Sequence, residues 1–296
     1  MAHSYRKSDT GTSYNRLDRV KKQIFGIIVI TLWHLFPKRI EKIIGKQFFT
    51  PRRHRYSEEQ LNFLKTGRSF DLKINEDTIK CWQWGHGPSI ICIHGWNGIG
   101  LQFQSFIDAA LNKQFSIIFF DAPAHGLSPG NTCSYFQMTD ILRAFLKNHH
   151  RKPISGLIGH SFGAAAIINS ISKEKLSIPV VLISPAIRLK QIVDAAFDQY
   201  GIPSRIYTKL IGEYEKKYGY SFTKDNPLEL LDNNQSILII HDLKDTVISY
   251  KDSEDVIHRF PDFKLLQTRN LGHKRILKEL NTTHSAIDHI SEFQNL

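Results

Sequence analysis

One serine in this chain is set for nucleophilic chemistry. Ser161 stands in Gly159-His160-Ser161-Phe162-Gly163, after the apolar pair Leu157-Ile158 and before Ala164-Ala165-Ala166-Ile167-Ile168. The pattern reads as strand, tight turn and helix, with the serine at the apex and a glycine two residues to either side, where larger neighbours would be crowded. A glycine-rich strand-to-helix corner with no chemistry looks the same, so the motif needs partners. A nucleophilic serine requires a general base, an acid to orient that base, and donors for the developing oxyanion. His273, in Asn270-Leu271-Gly272-His273, is the candidate base. Asp245, in His241-Asp242-Leu243-Lys244-Asp245, is the candidate acid, with Asp242 as its near rival. The candidate donors are the backbone N–H groups of Phe162, next to the serine, and of Trp96, in His94-Gly95-Trp96-Asn97-Gly98. His94, Gly95, Gly159, His160 and Gly163 are expected to shape the site without reacting; His94 reads as a structural hydrogen-bonding residue.

These residues need strands that end where they begin. Continuous apolar runs at 90–93, 116–120, 178–184 and 237–240 have the composition of strands buried on both faces, and a last strand is expected near 263–266. Helical patterns fall at 103–111, 135–148 and 253–260. The alternation predicts a mostly parallel sheet with helices on both faces, in which ligands bind beyond the strands' C-terminal ends. Ser161, Asp245 and His273 each follow such a run. Alternating patterns at 70–74 and 79–84, separated by Asn75-Glu76-Asp77, predict a leading hairpin. Residues 185–235 carry helical patches at 189–197 and 206–218 and no strand pattern, and are too long for a bare loop. They predict a small helical cap.

The chain has 296 residues, 41% hydrophobic and 23% charged, ample for a large buried core. Three cysteines, Cys81, Cys92 and Cys133, form neither a disulfide framework nor a Cys–His metal spacing, so no metal or cofactor is expected and a reducing compartment is. The net charge of +11 is uneven: residues 1–60 hold 13 Lys/Arg and 5 Asp/Glu, a balance of +8. Residues 1–15 read as a disordered tail, 16–60 as a basic, apolar helical segment, and 61–296 as the main domain with its cap. Within the segment, residues 24–36 are uncharged, flanked by Lys21-Lys22 and Lys38-Arg39. That run is shorter than the roughly 20 residues of a spanning helix, and Pro37 should end it. A helix packed on the main domain is the expectation. The alternative is peripheral membrane contact through residues 17–49, with the cations at the headgroups. The basic segment lacks any nucleic-acid-binding module, so no nucleic-acid partner is expected. Ser57-Glu58-Glu59-Gln60 before Leu61 has the form of a capping box.

With these motifs in register, the chain resembles the α/β-hydrolase superfamily over roughly residues 68–292. The resemblance rests on His94-Gly95-Trp96, the Asp121–Ser128 turn, Gly159-His160-Ser161-Phe162-Gly163, Asp245 and Gly272-His273. His94-Gly95-Trp96 is also similar to haloalkane dehalogenases and epoxide hydrolases of that superfamily, but those use an aspartate nucleophile where this chain has serine. The order Ser161, Asp245, His273 is the superfamily's order. The resemblance implies a serine esterase or lipase-like hydrolase acting on a small acyl ester; the cysteine usage leads us to expect a cytoplasmic protein, with membrane association through residues 17–49 as the alternative. Thioesterase and acyltransferase activity would use the same residues. A non-catalytic binding protein on the same fold is the reading of another class.

Overall fold

The computed structural model describes residues 16–74, 76–148 and 153–294; the tail expected at 1–15 lies outside them. Along the chain run α1 (Arg16–Leu35), α2 (Pro37–Phe49), α3 (Glu58–Leu64), β1 (Arg68–Ile74), β2 (Asp77–Trp84), β3 (Ser89–Ile93), a 3-10 turn (Gly100–Phe106) with α4 (Ile107–Asn112), and β4 (Ser116–Phe120). Then come α5 (Tyr135–Asn148), β5 (Ile154–His160), α6 (Phe162–Glu174), β6 (Val180–Ile183), α7 (Leu189–Gln199), α8 (Ser204–Tyr218) and α9 (Pro227–Leu230). The chain closes with β7 (Ile237–Asp242), α10 (Tyr250–Arg259), β8 (Lys264–Thr268), α11 (Gly272–Arg275) and α12 (Leu280–Phe293).

The eight strands form one sheet in the order β1-β2-β4-β3-β5-β6-β7-β8. β1 and β2 are antiparallel, and β2 joins β4 antiparallel. From β4 to β8 every pairing is parallel. The apolar runs show no alternation because both faces are covered, yet the strands divide their side chains with period two. Ile91, Ile93, Leu157, Leu182 and Ile239 enter a core with α5, α6 and the cap. Ile90, Cys92, Ile158, Val181 and Ile240 enter the opposite core with α4 and α12. Burying a side chain of this size contributes about 1.5–3 kcal/mol, and all ten are fully enclosed.

The helix predicted at 103–111 begins instead as a 3-10 turn at Gly100. Gly100 N–H donates to Asp121 Oδ1 at 2.8 Å, which ties the turn to the end of β4 and tightens the first coil. The capping box forms: Ser57 Oγ accepts from Gln60 N, and Gln60 Oε1 accepts from Ser57 N.

Between β6 and β7 the three helices α7, α8 and α9 build the cap. Against it lie α1 and α2. Phe48 stacks on Phe197 and Phe49 on Tyr214, each pair of rings 3.8 Å apart. Lys209 reaches Glu41 at 2.6 Å, and Lys22 reaches Asp198 at 2.9 Å. The N-terminal helices thus pack against α7 and α8, and α2 and α7 share a cavity with Trp96 and Phe162, which follow β3 and β5. Pro37 opens α2 as its first helical residue, where a missing N–H costs nothing.

Candidate active site

Parallel register brings the ends of β5, β6, β7 and β8 side by side: His160 pairs with Ile183, Ile183 with Ile240, and Asp242 with Thr268. Ser161 follows β5 at φ 54° and ψ −117°. A serine in that region costs about 1–3 kcal/mol and persists only where its surroundings over-determine it. They do so here. Ser161 N–H donates to Ile183 O at 3.0 Å, and Ser161 O accepts from Ala164 and Ala186. A Cβ on Gly163 would stand 2.2 Å from Ile93 O, so only glycine lets α6 approach β3 this closely. Ser161 Oγ has no hydrogen-bond partner among the described residues.

The loop after β8 delivers His273 and the loop after β7 delivers Asp245. His273 Nδ1 donates to Asp245 Oδ2 at 2.8 Å. The other carboxylate oxygen accepts from the N–H groups of Val247 and Ile248 at 2.8 and 3.0 Å. Burial pushes the Asp245 carboxyl up, but the facing His241 and His273 rings and the Ile248 N–H outweigh it and hold it well below the usual carboxylate range. Asp242 is occupied elsewhere. It accepts from Lys244 N–H, from the Thr268 hydroxyl and from Leu271 N–H at 2.8, 2.8 and 3.0 Å, which pins the loop carrying His273. Burial alone would raise its pKa; these donors lower it below the ordinary value.

Four other histidines surround the site, and the bonding of each differs from that of His273. His94 Nδ1 donates to Gly95 O at 2.7 Å while Nε2 accepts from Ala122 N–H at 2.9 Å. His125 Nδ1 donates to Pro123 O at 2.9 Å while Nε2 accepts from Asn97 N–H at 3.2 Å. His160 Nε2 donates to His273 O at 2.8 Å, and Nδ1 faces Gln102 Nε2 at 3.4 Å. Each ring therefore uses one nitrogen as donor and one as acceptor, a pattern only the neutral imidazole satisfies. Burial, with the neighbouring histidines adding to it for His94 and His160, lowers their pKa values to about 3, 4 and 3 for His94, His125 and His160. His241 is fully buried, with Nδ1 against Ser253 Oγ at 2.7 Å and Nε2 3.4 Å from Asp245 Oδ2. His273 joins a carboxylate on one nitrogen and leaves Nε2 with no hydrogen bond from a described residue.

On the other side of Ser161, Trp96 follows β3. Gly98 N–H closes its turn onto Gly95 O at 3.0 Å, and Asn97 sits at φ 58°. Asn97 Oδ1 accepts from Arg52 N–H at 2.7 Å. The amide N–H groups of Trp96 and Phe162 have no acceptor among the described residues, and their rings lie 6.2 Å apart. Gly95 lies directly over the serine: a Cβ there would stand 2.8 Å from Ser161 Cβ. Among the described residues, no cluster of His, Cys, Asp or Glu is arranged to hold a metal ion.

A cavity of about 590 Å³ begins at Trp96 and Phe162 and runs between α2 and α7. Its far wall is Ile43, Phe48, Ile192 and Phe197. Sequence reasoning gave no hint that α2 would line it, since nothing in an apolar helix says which neighbour it meets. It also missed His125, which holds Asn97, and Arg53, whose guanidinium donates to Gly126 O, Ser128 O and Gly130 O at 3.0, 2.7 and 2.7 Å. The concentration of arginines at 52–55 was the visible signal for the latter.

A model of one family matches residues 90–252, more than half of the chain, and encloses Ser161 and Asp245. The chain belongs to the alpha/beta hydrolase family. Among solved structures, this alpha/beta hydrolase is similar to an esterase of Pyrococcus furiosus at 20% identity and a TM-score of 0.60, with 83% of this chain and 96% of that one covered. Mouse alpha/beta hydrolase domain-containing protein 10 is 18% identical at a TM-score of 0.56, over 77% and 98% of the two chains. Est1E of Butyrivibrio proteoclasticus, solved with ferulic acid bound, is 15% identical at 0.56, over 76% and 98%. These likenesses are of fold. No curated protein sequence matches the chain.

Proposed function

We propose that this alpha/beta hydrolase is a serine carboxylester hydrolase. One observation carries the reading: beside a serine held at positive φ, the adjoining His160 donates to His273 O at 2.8 Å, and His273 Nδ1 is in turn bonded to the buried Asp245 carboxylate. Ser161 Oγ attacks the ester carbonyl carbon while His273 Nε2 takes its proton. Asp245 holds the imidazole in the Nδ1–H tautomer and stabilises the imidazolium. The N–H groups of Trp96 and Phe162 receive the oxyanion, in a pocket where fixed donors act more strongly than water. Collapse expels the alcohol, protonated by His273, and leaves an acyl group on Ser161 Oγ. Water, deprotonated by the same histidine, releases the acid. The apolar cavity beside Trp96 and Phe162 suits an acyl chain. Hydrolysis of p-nitrophenyl acyl esters tests the reading: Ser161→Ala is expected to remove turnover by several orders of magnitude, and retained activity would end it. A matched panel of thioesters, run beside the esters, assigns the leaving group.

A further inference from the structure

The N-terminal helices pack only one of their faces. On α1 the inward side carries Val29, which is buried, Gly26, against Gly201 O, and Trp33, whose Nε1 donates to Glu41 at 2.6 Å. The outward side inverts the usual rule for a surface helix. Ile24, Ile27, Ile28, Leu32 and Leu35 are all exposed, Ile27 and Leu35 at 64%, and Phe36 continues the stripe at the turn into α2. Single exposed apolar residues need no explanation; a contiguous stripe along three turns does. On α2 the outward side is basic, with Lys38, Arg39, Lys42 and Lys46 all exposed. Arg39, Lys42 and Lys46 make no ion pair among the described residues. Phe25 and Ile43 are exposed and also line the cavity, so the apolar surface runs from the outer stripe to the cavity mouth. Among the described residues no helix is long and apolar enough to cross a membrane.

We infer that the outward faces of α1 and α2 dock this protein on an anionic phospholipid bilayer. The apolar stripe of α1 enters the acyl boundary, and the cations of α2 meet the headgroups, the division of labour expected of a helix lying in the interface. Charge selects the occupant. A second copy of the chain would bring the same four exposed cations of α2 face to face, whereas an anionic lipid surface neutralises them. The docked orientation sets the cavity mouth at the bilayer, so that an acyl chain passes between Phe25 and Ile43 without crossing water; this last step rests on the hydrolase reading, and the docking itself does not.

Flotation of the full chain with vesicles tests it, using phosphatidylcholine alone and phosphatidylcholine with about 30% phosphatidylserine, a composition that supplies the surface potential. The protein is expected to float with the anionic vesicles and to lose at least tenfold in binding with the neutral ones or in high salt. Ile27→Glu with Ile28→Glu, at exposed positions outside the cavity, is expected to abolish flotation while hydrolysis of a short soluble ester and the thermal midpoint stay unchanged. Arg39→Glu with Lys42→Glu and Lys46→Glu is expected to remove only the preference for anionic vesicles. Ser161→Ala is expected to float like the native chain, which separates docking from chemistry. Absence of flotation overturns the inference, as does flotation that survives Ile27→Glu with Ile28→Glu. A native dimer that does not float, and that those substitutions convert to monomer, overturns it in favour of a second copy.

Discussion

Acidification from about pH 7.5 to about pH 5.5 is expected to destabilise this fold through three histidines around the site, by linkage between protonation and folding. His94, His125 and His160 are buried, and each has one ring nitrogen donating and the other accepting or facing a donor. Their pKa values in the fold are about 3, 4 and 3, against 6.5 for the free side chain. The unfolded chain therefore binds more protons between these values, and stability present above pH 6.5 is lost as the pH falls. One unit below 6.5, each ring costs about 1.4 kcal/mol, and the three about 4. Asp121 works in the opposite direction. Burial lifts its carboxyl to about 6 from 3.8, so its protonation in the fold returns about 1 kcal/mol over the same interval. The net loss of about 3 kcal/mol corresponds to a fall in thermal midpoint of about 6 °C for a chain of this size. Scanning calorimetry at the two pH values measures it. His125→Asn provides the control: the difference between the two pH values is expected to shrink by about 1.4 kcal/mol, whatever the substitution does to stability at both. A midpoint that moves by less than about 2 °C, where the linkage relation calls for three times that, would refute the claim that these rings are held neutral.

Four further expectations attach to single substitutions around the site. Asp245→Asn keeps the shape of the acid but offers an N–H to His273 Nδ1, and ester turnover is expected to fall by about 10⁴ with little change in KM; Asp242→Asn, which loosens the His273 loop, is expected to lower the thermal midpoint and to cost turnover less. Gly95→Ala sets a methyl 2.8 Å from Ser161 Cβ; displacing the nucleophile by a few tenths of an ångström to 1 Å is expected to lower kcat about 100-fold, read by steady-state kinetics. Ile192→Trp fills the cavity between α2 and α7, and is expected to lower kcat/KM for a hexanoyl ester about 200-fold relative to an acetyl ester, since four methylenes at about 0.8 kcal/mol each lose their site.

The order of strands and helices was legible because buried parallel strands leave uninterrupted apolar runs, such as Ile237-Leu238-Ile239-Ile240, that end at their loops. Gly159-His160-Ser161-Phe162-Gly163 was legible for a steric reason, as Gly163 cannot carry a Cβ against Ile93 O. The choice between Asp242 and Asp245 was open at that level, because three residues along a loop say nothing of which carboxylate turns towards His273. It is decided by Thr268, at the end of a strand 26 residues away, and by Leu271 in the loop beyond it, whose donors occupy Asp242. Residues 24–36 were read as a helix that either packs or faces lipid. Helical periodicity cannot separate these when nearly every position is apolar, and α1 has one packed face and one exposed apolar face.

The central claim is that Ser161 carries the acyl group, and intact-protein mass spectrometry with a fluorophosphonate reports on it directly. A single adduct mapped by peptide analysis to Ser161, absent in Ser161→Ala and slowed at least 1,000-fold in His273→Ala, is the predicted result for a nucleophile that depends on its base. No adduct, or one on another residue that persists in Ser161→Ala, would contradict it.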